Sequence, residues 1–338
     1  MSQVRFEVAD LAEIRFCVSP IWETVTSLWA LADPSRHACH LPWIRWARTV
    51  AAQPALTPHV ELLTAFARPK APLPDFLVPP PGDPLVEIGE EVAAVRATPP
   101  EIVAVDILST HRPAAPLHPL ARAAAGDPAH WLPRIADAVD AWWRAAILPH
   151  WPRMRALLEA DIGHRSRQFA EGGPRLLFDT LHPSTSWAGD RLLVEDAFRI
   201  DVAVAGSGLP LRPSLFLDHR VMLTQSDWNP PSAIYPARAV GTLWESSGQH
   251  RPQSLARLLG ANRARLLELT ATPVTTTALA ARTGLTPGSV SQHLAVLHQA
   301  GLLSRHRYGR EVRYTHTELG GQLLAPPGPA ALDLVPPE

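Results

Sequence analysis

The 338-residue chain holds only two cysteines, Cys17 and Cys39, and a single lysine, Lys70, beside thirty arginines. Two cysteines leave no room for a disulfide framework and suit a reducing compartment. No run of about 18 uninterrupted apolar residues is present, so no transmembrane helix is expected. The N-terminal MSQVRFEVADLAEIRF carries scattered charges and lacks the apolar stretch of a signal peptide. These absences predict a cytoplasmic protein with no membrane partner. Enzyme signatures are missing too: no Gly-rich phosphate loop, no nucleophile elbow, no HExxH and no acid pair at a plausible spacing. GSG at 206–208 is too short to cradle a phosphate. The expectation is a protein that is not an enzyme and carries no cofactor. Scarce lysine with abundant alanine and proline suggests a GC-rich bacterial genome more than a functional demand.

What is present divides unevenly. The formal net charge is −1, yet residues 261–324 carry seven arginines against Glu268, Glu311 and Glu318, a net of +4, which leaves −5 elsewhere. A local positive excess is the footprint expected of a phosphate-binding segment. All eleven tryptophans precede residue 250. The two regions therefore read as separate domains with separate cores, 1–250 and 252–324, followed by a proline-rich and disordered tail, 325–338.

Periodicity predicts an α+β chain. RFEVADLAEIRFCVSP reads as a strand or short helix closed by Pro20, and IWETVTSLWALADP as an amphipathic helix with Ile21, Val25, Leu28 and Trp29 on one side. HLPWIRWARTVAA and PHVELLTAFARP read as further helices, and the proline-rich 69–84 as a surface loop. Residues 85–110 read as helical with a break at Pro99–Pro100. A long helical run follows from Trp131 to Phe169, with a kink or a new helix at Pro149 and Pro152. RLLFDTL, DRLLVEDAFRIDVAVAG, LRPSLFLDHRVML and SAIYPARAV then switch to a strand-like pattern, with GSGLP (206–210) as a turn between two strands. The first domain is thus expected to place helices first and a small antiparallel sheet after them.

The C-terminal segment carries the most specific pattern, TTALAARTGLTPGSVSQHLAVLHQAGLL. Ala280 allows close helix crossing, Gly284 four residues on supplies a left-handed turn, and Val290 six further seats a second helix. PQSLARLLG (252–260) reads as a connecting helix, and Asn262 is a candidate cap for ARLLELT, with Leu266, Leu267 and Leu269 on its buried side. Thr275 or Thr276 caps the next helix. Thr286 caps the recognition helix and Pro287 takes its first turn. Val290, Leu294 and Leu297 form its core face, opposite Gly288, Ser289, Ser291, Gln292 and Gln299. LLSRHRYGREVRYTHT reads as a hairpin turning at Tyr308–Gly309–Arg310. A helix-turn-helix followed by a wing is geometry suited to a DNA major groove.

RLLGANRARLLELT, the helix-turn-helix and the wing RHRYGREVRYTHT together resemble the winged helix-turn-helix of ArsR-type bacterial transcriptional regulators, over residues 252–324. The stretch RFEVADLAEIRFCVSPIWETVTSLWAL is similar to an uncharacterised N-terminal domain of actinobacterial members of that group. The resemblance implies a DNA-binding regulator that reads a partly palindromic operator as a homodimer. It places the recognition surface on Thr286, Pro287, Gly288, Ser289, Ser291, Gln292 and His293, and wing contacts on Arg305, Arg307, Arg310 and Arg313. Family members often carry a longer polar residue at the positions of Pro287 and Gly288, which shifts recognition here toward DNA shape and the wing. Only Gln292 has the reach for a bidentate contact to adenine.

The family's metal sensors use cysteines before the recognition helix or His and Asp pairs in the final helix, and this segment has neither. His37, Cys39 and His40 are a cluster of metal-ligand type at no standard spacing, and no metal site is expected. Trp142, Trp143, Trp151, Trp187 and Trp228 either line a cavity for a small-molecule effector or fill a core. The final helix, cut short by Gly320–Gly321, leaves the first domain to supply much of a dimer interface. The alternative function is a protein-interaction module that uses its winged helix without DNA; an N-terminal enzyme fused to a DNA-binding tail is the third.

Overall fold

The computed structural model describes the chain apart from residues 70, 81–85, 113–114, 196–199, 205, 207, 219, 227–228, 245–250, 309–310 and 325–338, with no side-chain detail at 226, 251–254, 308, 311, 318 and 322. Helices dominate, strands form separate sheets, and the class is α+β, as the periodicity predicts. Two compact units divide the chain, one within Met1–Trp244 and one within Glu245–Ala331.

The first unit begins with strand β1 (Ser2–Arg5), a short helix α1 (Val8–Ala12) and strand β2 (Arg15–Phe16). Pro20 then starts a helix instead of closing an element: α2 (Pro20–Ala32) has Ser19 as its cap, whose side chain accepts the Trp22 N–H. A proline in the first helical turn loses no hydrogen bond and presets φ. Every α2 residue from Pro20 to Ala30 is buried. The expected amphipathic helix is therefore a central one, and its polar residues are satisfied internally. Thr24 and Thr26 donate to the carbonyls four residues back, and Ser27 accepts the Trp142 indole N–H at 2.9 Å.

On α2 pack α3 (Leu41–Ala51), α4 (Thr57–Thr64), α5 (Ile88–Ala97) and α8 (Pro128–Trp142), while α6 (Pro100–Ser109) and α7 (Pro119–Gly126) join the same core against α8. The break between α5 and α6 falls at Pro99–Pro100, as expected. After α8 the chain passes through a π-helical turn, Trp143–Ile147, and a 3-10 turn, Leu148–His150, before α9 (Trp151–Leu181) begins afresh. RLLFDTL, expected as a strand, is the last part of α9. Gly173 bends the helix with φ +64° and Pro174 restarts it, so Leu177, Phe178 and Leu181 fall on one buried helical face. A short apolar run cannot be assigned to strand or helix by periodicity alone, and here the preceding Gly-Pro pair decides.

Later strands join β1 and β2 in two sheets, in place of the single small antiparallel sheet expected. One has the order β3-β4-β1-β5, with β3 (Thr185–Ala188), β4 (Arg191–Val194) and β5 (Asp201–Ala203). The other has the order β2-β6-β8-β7, with β6 (Pro210–Ser214), β7 (Met222–Ser226) and β8 (Asn229–Pro236). Both are mixed: β1 runs parallel to β5, and β6 runs parallel to β2 and β8. The N-terminal strands β1 and β2 each join strands from near the end of the unit, so the order "helices, then sheet" does not hold. Such long-range pairing leaves no local trace in a sequence. The segment holding Gly206 and Gly208, both with positive φ, lies between two strands as expected, and it joins β5 of one sheet to β6 of the other. Strand β6 is buried on both sides: Leu211 joins a core with Val4, Phe178 and Tyr235, while Ser214 faces Trp22 of α2.

The second unit comprises α10 (Arg251–Leu259), α11 (Ala261–Leu269), β9 (Val274–Thr275), α12 (Thr276–Thr283), α13 (Pro287–Gln299), β10 (Leu303–Tyr308), β11 (Glu311–His316) and α14 (Glu318–Leu324). Its core is Leu266, Leu267, Leu279, Ala280, Val290, Leu294, Leu297, Leu302 and Leu303. Asn262 is not the cap of α11: that helix starts one residue earlier, behind Gly260 at φ +87°. No described helix of the chain is long and apolar enough to cross a membrane.

Candidate nucleic-acid interface

The second unit builds its exposed surface from the turn outward. Thr275, one of the two candidate caps, accepts the Ala278 N–H and starts α12, and Gly284 ends it at φ +73°, donating to the Ala280 carbonyl. A side chain with a Cβ at that φ costs about 1–2 kcal/mol, so glycine suits the turn. Ala280, buried beneath it, keeps α12 close to α13. Thr286 then caps α13, its hydroxyl accepting the Ser289 N–H at 3.3 Å, with Pro287 in the first turn. Val290, Leu294 and Leu297 are fully or almost fully buried. At about 1.5–3 kcal/mol for each such side chain, this face fixes the rotation of α13 about its axis.

That rotation decides what faces outward. Thr286, Pro287, Gly288, Ser291 and Gln292 are exposed, and Ser289 and His293 are half-buried. His293 neither joins the core nor stands clear: its Nε2 lies 3.5 Å from the Ser289 hydroxyl, one helical turn back. The surface is small and neutral, set at the helix end where unpaired N–H groups and the helix dipole favour negative charge.

Strands β10 and β11 pair antiparallel from Leu303↔His316 to Tyr308↔Glu311, and β9 adds to β11 through Thr275↔Arg313 and Val274↔Tyr314. The predicted wing arginines Arg305, Arg307 and Arg313 are all exposed, but the register divides them. Arg305 pairs with Tyr314 and Arg307 with Val312, whereas Arg313 pairs with His306. Since paired residues share a face and neighbours along a strand alternate, Arg305 and Arg307 lie on one face and Arg313 with His306 on the other. His306, exposed beside the arginines, was not singled out by sequence; only the pairing with Arg313 brings it forward. Gly309 and Arg310, the expected tip, lie outside the described residues.

In the first unit the tryptophans do not converge on one place. Trp142 and Trp143 are buried in the helical core, where Trp143 meets Trp151 edge-on at 5.0 Å, while Trp187 stacks on Phe178 in the other core. Trp228 lies outside the described residues. The His37–Cys39–His40 cluster is split as well: both histidines are buried and Cys39 is exposed. Both ring nitrogens of His40 are engaged, Nε2 with the Leu215 carbonyl at 2.8 Å and Nδ1 accepting the Trp244 indole N–H at 2.8 Å. The His40 hydrogen bonds call for the neutral ring, and burial lowers its pKa to about 4.

Sequence reasoning passed over the buried acids. Glu23, on α2, receives the Leu215 N–H on both carboxyl oxygens, and burial raises its pKa to about 8. Glu91, on α5, accepts from the Ser19 hydroxyl at 2.6 Å and the Ile21 N–H at 2.7 Å; burial raises its pKa to about 7 against those bonds and the charge of Arg212. Asp106, on α6, accepts the Phe76 N–H, with burial raising its pKa to about 7. These carboxylates serve backbone donors across helix–loop junctions that no local pattern reveals.

Comparison with curated proteins and with solved structures returns no match. Residues 258–306, from the end of α10 into β10, match the family model of a helix-turn-helix domain, and the capped α12–α13 pair described above is that motif.

Proposed function

We propose that this protein is a cytoplasmic, DNA-binding transcriptional regulator of ArsR type, without enzymatic activity, that acts on a partly palindromic operator as a homodimer. The observation that carries the reading is the exposed N-terminal face of α13, opposite its buried Val290–Leu294–Leu297 face, beside a hairpin that displays Arg305, Arg307 and Arg313. In this reading α13 enters the major groove, with Gln292 reading a base edge. Pro287, Gly288, Ser289 and Ser291 line the base-reading surface beside it, Thr286 and His293 approach the backbone, and the wing lies on phosphates or the minor groove. Two copies related by a two-fold axis would set their helices roughly 34 Å apart. The first unit would then contribute to the dimer and respond to a small molecule.

Binding of the full chain to its upstream intergenic DNA, followed by fluorescence anisotropy across a salt series, tests this. Gln292→Ala is expected to weaken binding by about 5- to 150-fold and relax sequence preference, as removal of a bidentate pairing with a base does. Arg305→Ala is expected to weaken all sequences alike and flatten the logarithmic salt slope by about 0.9 for each phosphate it no longer neutralises. Binding unaffected by both substitutions would refute the site. No salt-dependent binding at low ionic strength would refute the function and favour a protein-interaction module.

A further inference from the structure

Arg212 stands in the middle of β6, on the face that meets α2, and is 3% exposed. Its Nη2 donates to the Ser232 hydroxyl at 2.6 Å, which in turn lies 2.6 Å from the Thr224 hydroxyl. Its guanidinium carbon lies 5.6 Å from the centre of the Trp22 ring. Among the described residues neither Nε nor Nη1, both buried, has a hydrogen-bond partner. Among the described residues no carboxylate comes within ion-pairing distance of it. Asp218, by contrast, pairs with both Arg36 and Arg220.

This is an unusual state for a guanidinium. Its positive charge cannot be relieved by deprotonation in a protein, and a buried charge without a hydrogen-bonded counter-ion is strongly disfavoured. The nearest acid on α5, Glu91, has both oxygens turned to Ser19 and Ile21. Among the described residues the interior thus supplies fixed N–H donors and two hydroxyls, with acids near enough to act electrostatically but none at hydrogen-bonding distance. A planar, singly charged carboxylate matches such donors with short charge-assisted bonds. A doubly charged phosphate would meet the nearby Glu91 and Asp75, which also act on Arg212 electrostatically.

We infer that the buried Arg212, with Ser232 and Thr224, is the binding site of a small monocarboxylate held between β6, β8 and α2. The inference deepens the proposed response of the first unit to a small molecule, and rests on that reading only for its regulatory meaning.

Sodium acetate and sodium formate serve as probes, with sodium chloride and inorganic phosphate at equal ionic strength as controls. Melting of the full chain is followed by tryptophan fluorescence, which reports the first unit alone. Saturable, one-site stabilisation by a monocarboxylate above both controls is expected. Arg212→Met is expected to abolish it while leaving the ligand-free protein at least as stable, because an unpaired buried charge is gone. Should that variant not fold, Ser232→Ala decides, with at least a fivefold weaker response expected. Equal responses to acetate and chloride would overturn the inference. So would no response at all, as when water alone satisfies Arg212, or a response unchanged in the variants. DNA binding measured with and without acetate separates the two readings. Stabilisation by acetate with unaltered DNA affinity leaves the site standing and removes its regulatory role, whereas acetate-sensitive affinity supports both.

Discussion

Glu23 makes the stability of the first unit depend on pH in a calculable direction. Its carboxyl is fully buried on α2, and burial raises its pKa from 4.5 to about 8 against the Leu215 and Phe216 N–H groups and the Ser214 hydroxyl. A carboxyl with a raised folded pKa makes its full contribution to stability below its unfolded value and loses it as pH climbs through the folded one. Glu91 and Asp106 act in the same sense up to about pH 7. His40 and His150 oppose them at lower pH: burial depresses both to about 4, so their contributions are complete only well above 6.5 and vanish on acidification toward 4.

Between pH 6.5 and 8 Glu23 dominates, while His40 and His150 add only a small remaining gain as their unfolded rings finish losing their protons. At about 1.4 kcal/mol per pH unit, Glu23 removes roughly 2 kcal/mol across that window; Glu91 and Asp106 together remove about 1.5 more, and the histidines return somewhat under about 1. Urea unfolding read by tryptophan fluorescence isolates this unit, because every tryptophan precedes residue 250. Wild type is expected to lose about 2–3 kcal/mol from pH 6.5 to 8. Glu23→Gln keeps an oxygen for the Leu215 N–H and cannot ionise, so its loss should shrink to about 1 kcal/mol or less. A wild-type stability that is flat or rising across the window refutes the reasoning, as does an unchanged loss in Glu23→Gln.

The second unit offers tests of its own, read by far-ultraviolet circular dichroism and limited proteolysis. Gly284→Ala meets no atom within 4 Å, so its cost is backbone strain at φ +73° alone, about 1–2 kcal/mol; a neutral result would mean the turn relaxes freely. Thr286→Ala removes the hydroxyl that caps α13 and is expected to cost about 1 kcal/mol, with a matching loss in DNA affinity if the helix end meets phosphate. In Gly320→Ala the added Cβ would overlap the Leu302 carbonyl oxygen, so α14 must shift away from the residue that precedes β10. A loss of about 1–3 kcal/mol is expected, and an undisturbed melt would show that close approach to be dispensable.

Legibility followed the range of the interactions. Ala280, Gly284, Thr286, Pro287 and Val290 act within one or two helical turns, so the α12–α13 pair could be read from spacing. The break at Pro99–Pro100 is equally local. Asn262 failed as a cap because Gly260 ends α10 and takes the cap position two residues sooner. RLLFDTL failed because an apolar run fits either period, and the Gly173–Pro174 pair chose helix. The wing arginines were legible as a set, but their division between two faces is a matter of register.

The sequence by itself determined the α+β class, the helix-turn-helix and the buried face of α13, since caps, turns and a 3.6-residue period are written locally. Tertiary structure alone decided the pairing of β1 with β4 and β5, the parallel run of β2 against β6, and the full burial of α2. It also decided that Glu23, Glu91 and Arg212 are interior groups. A charged residue looks alike in any sequence, and its burial depends on distant segments that close over it.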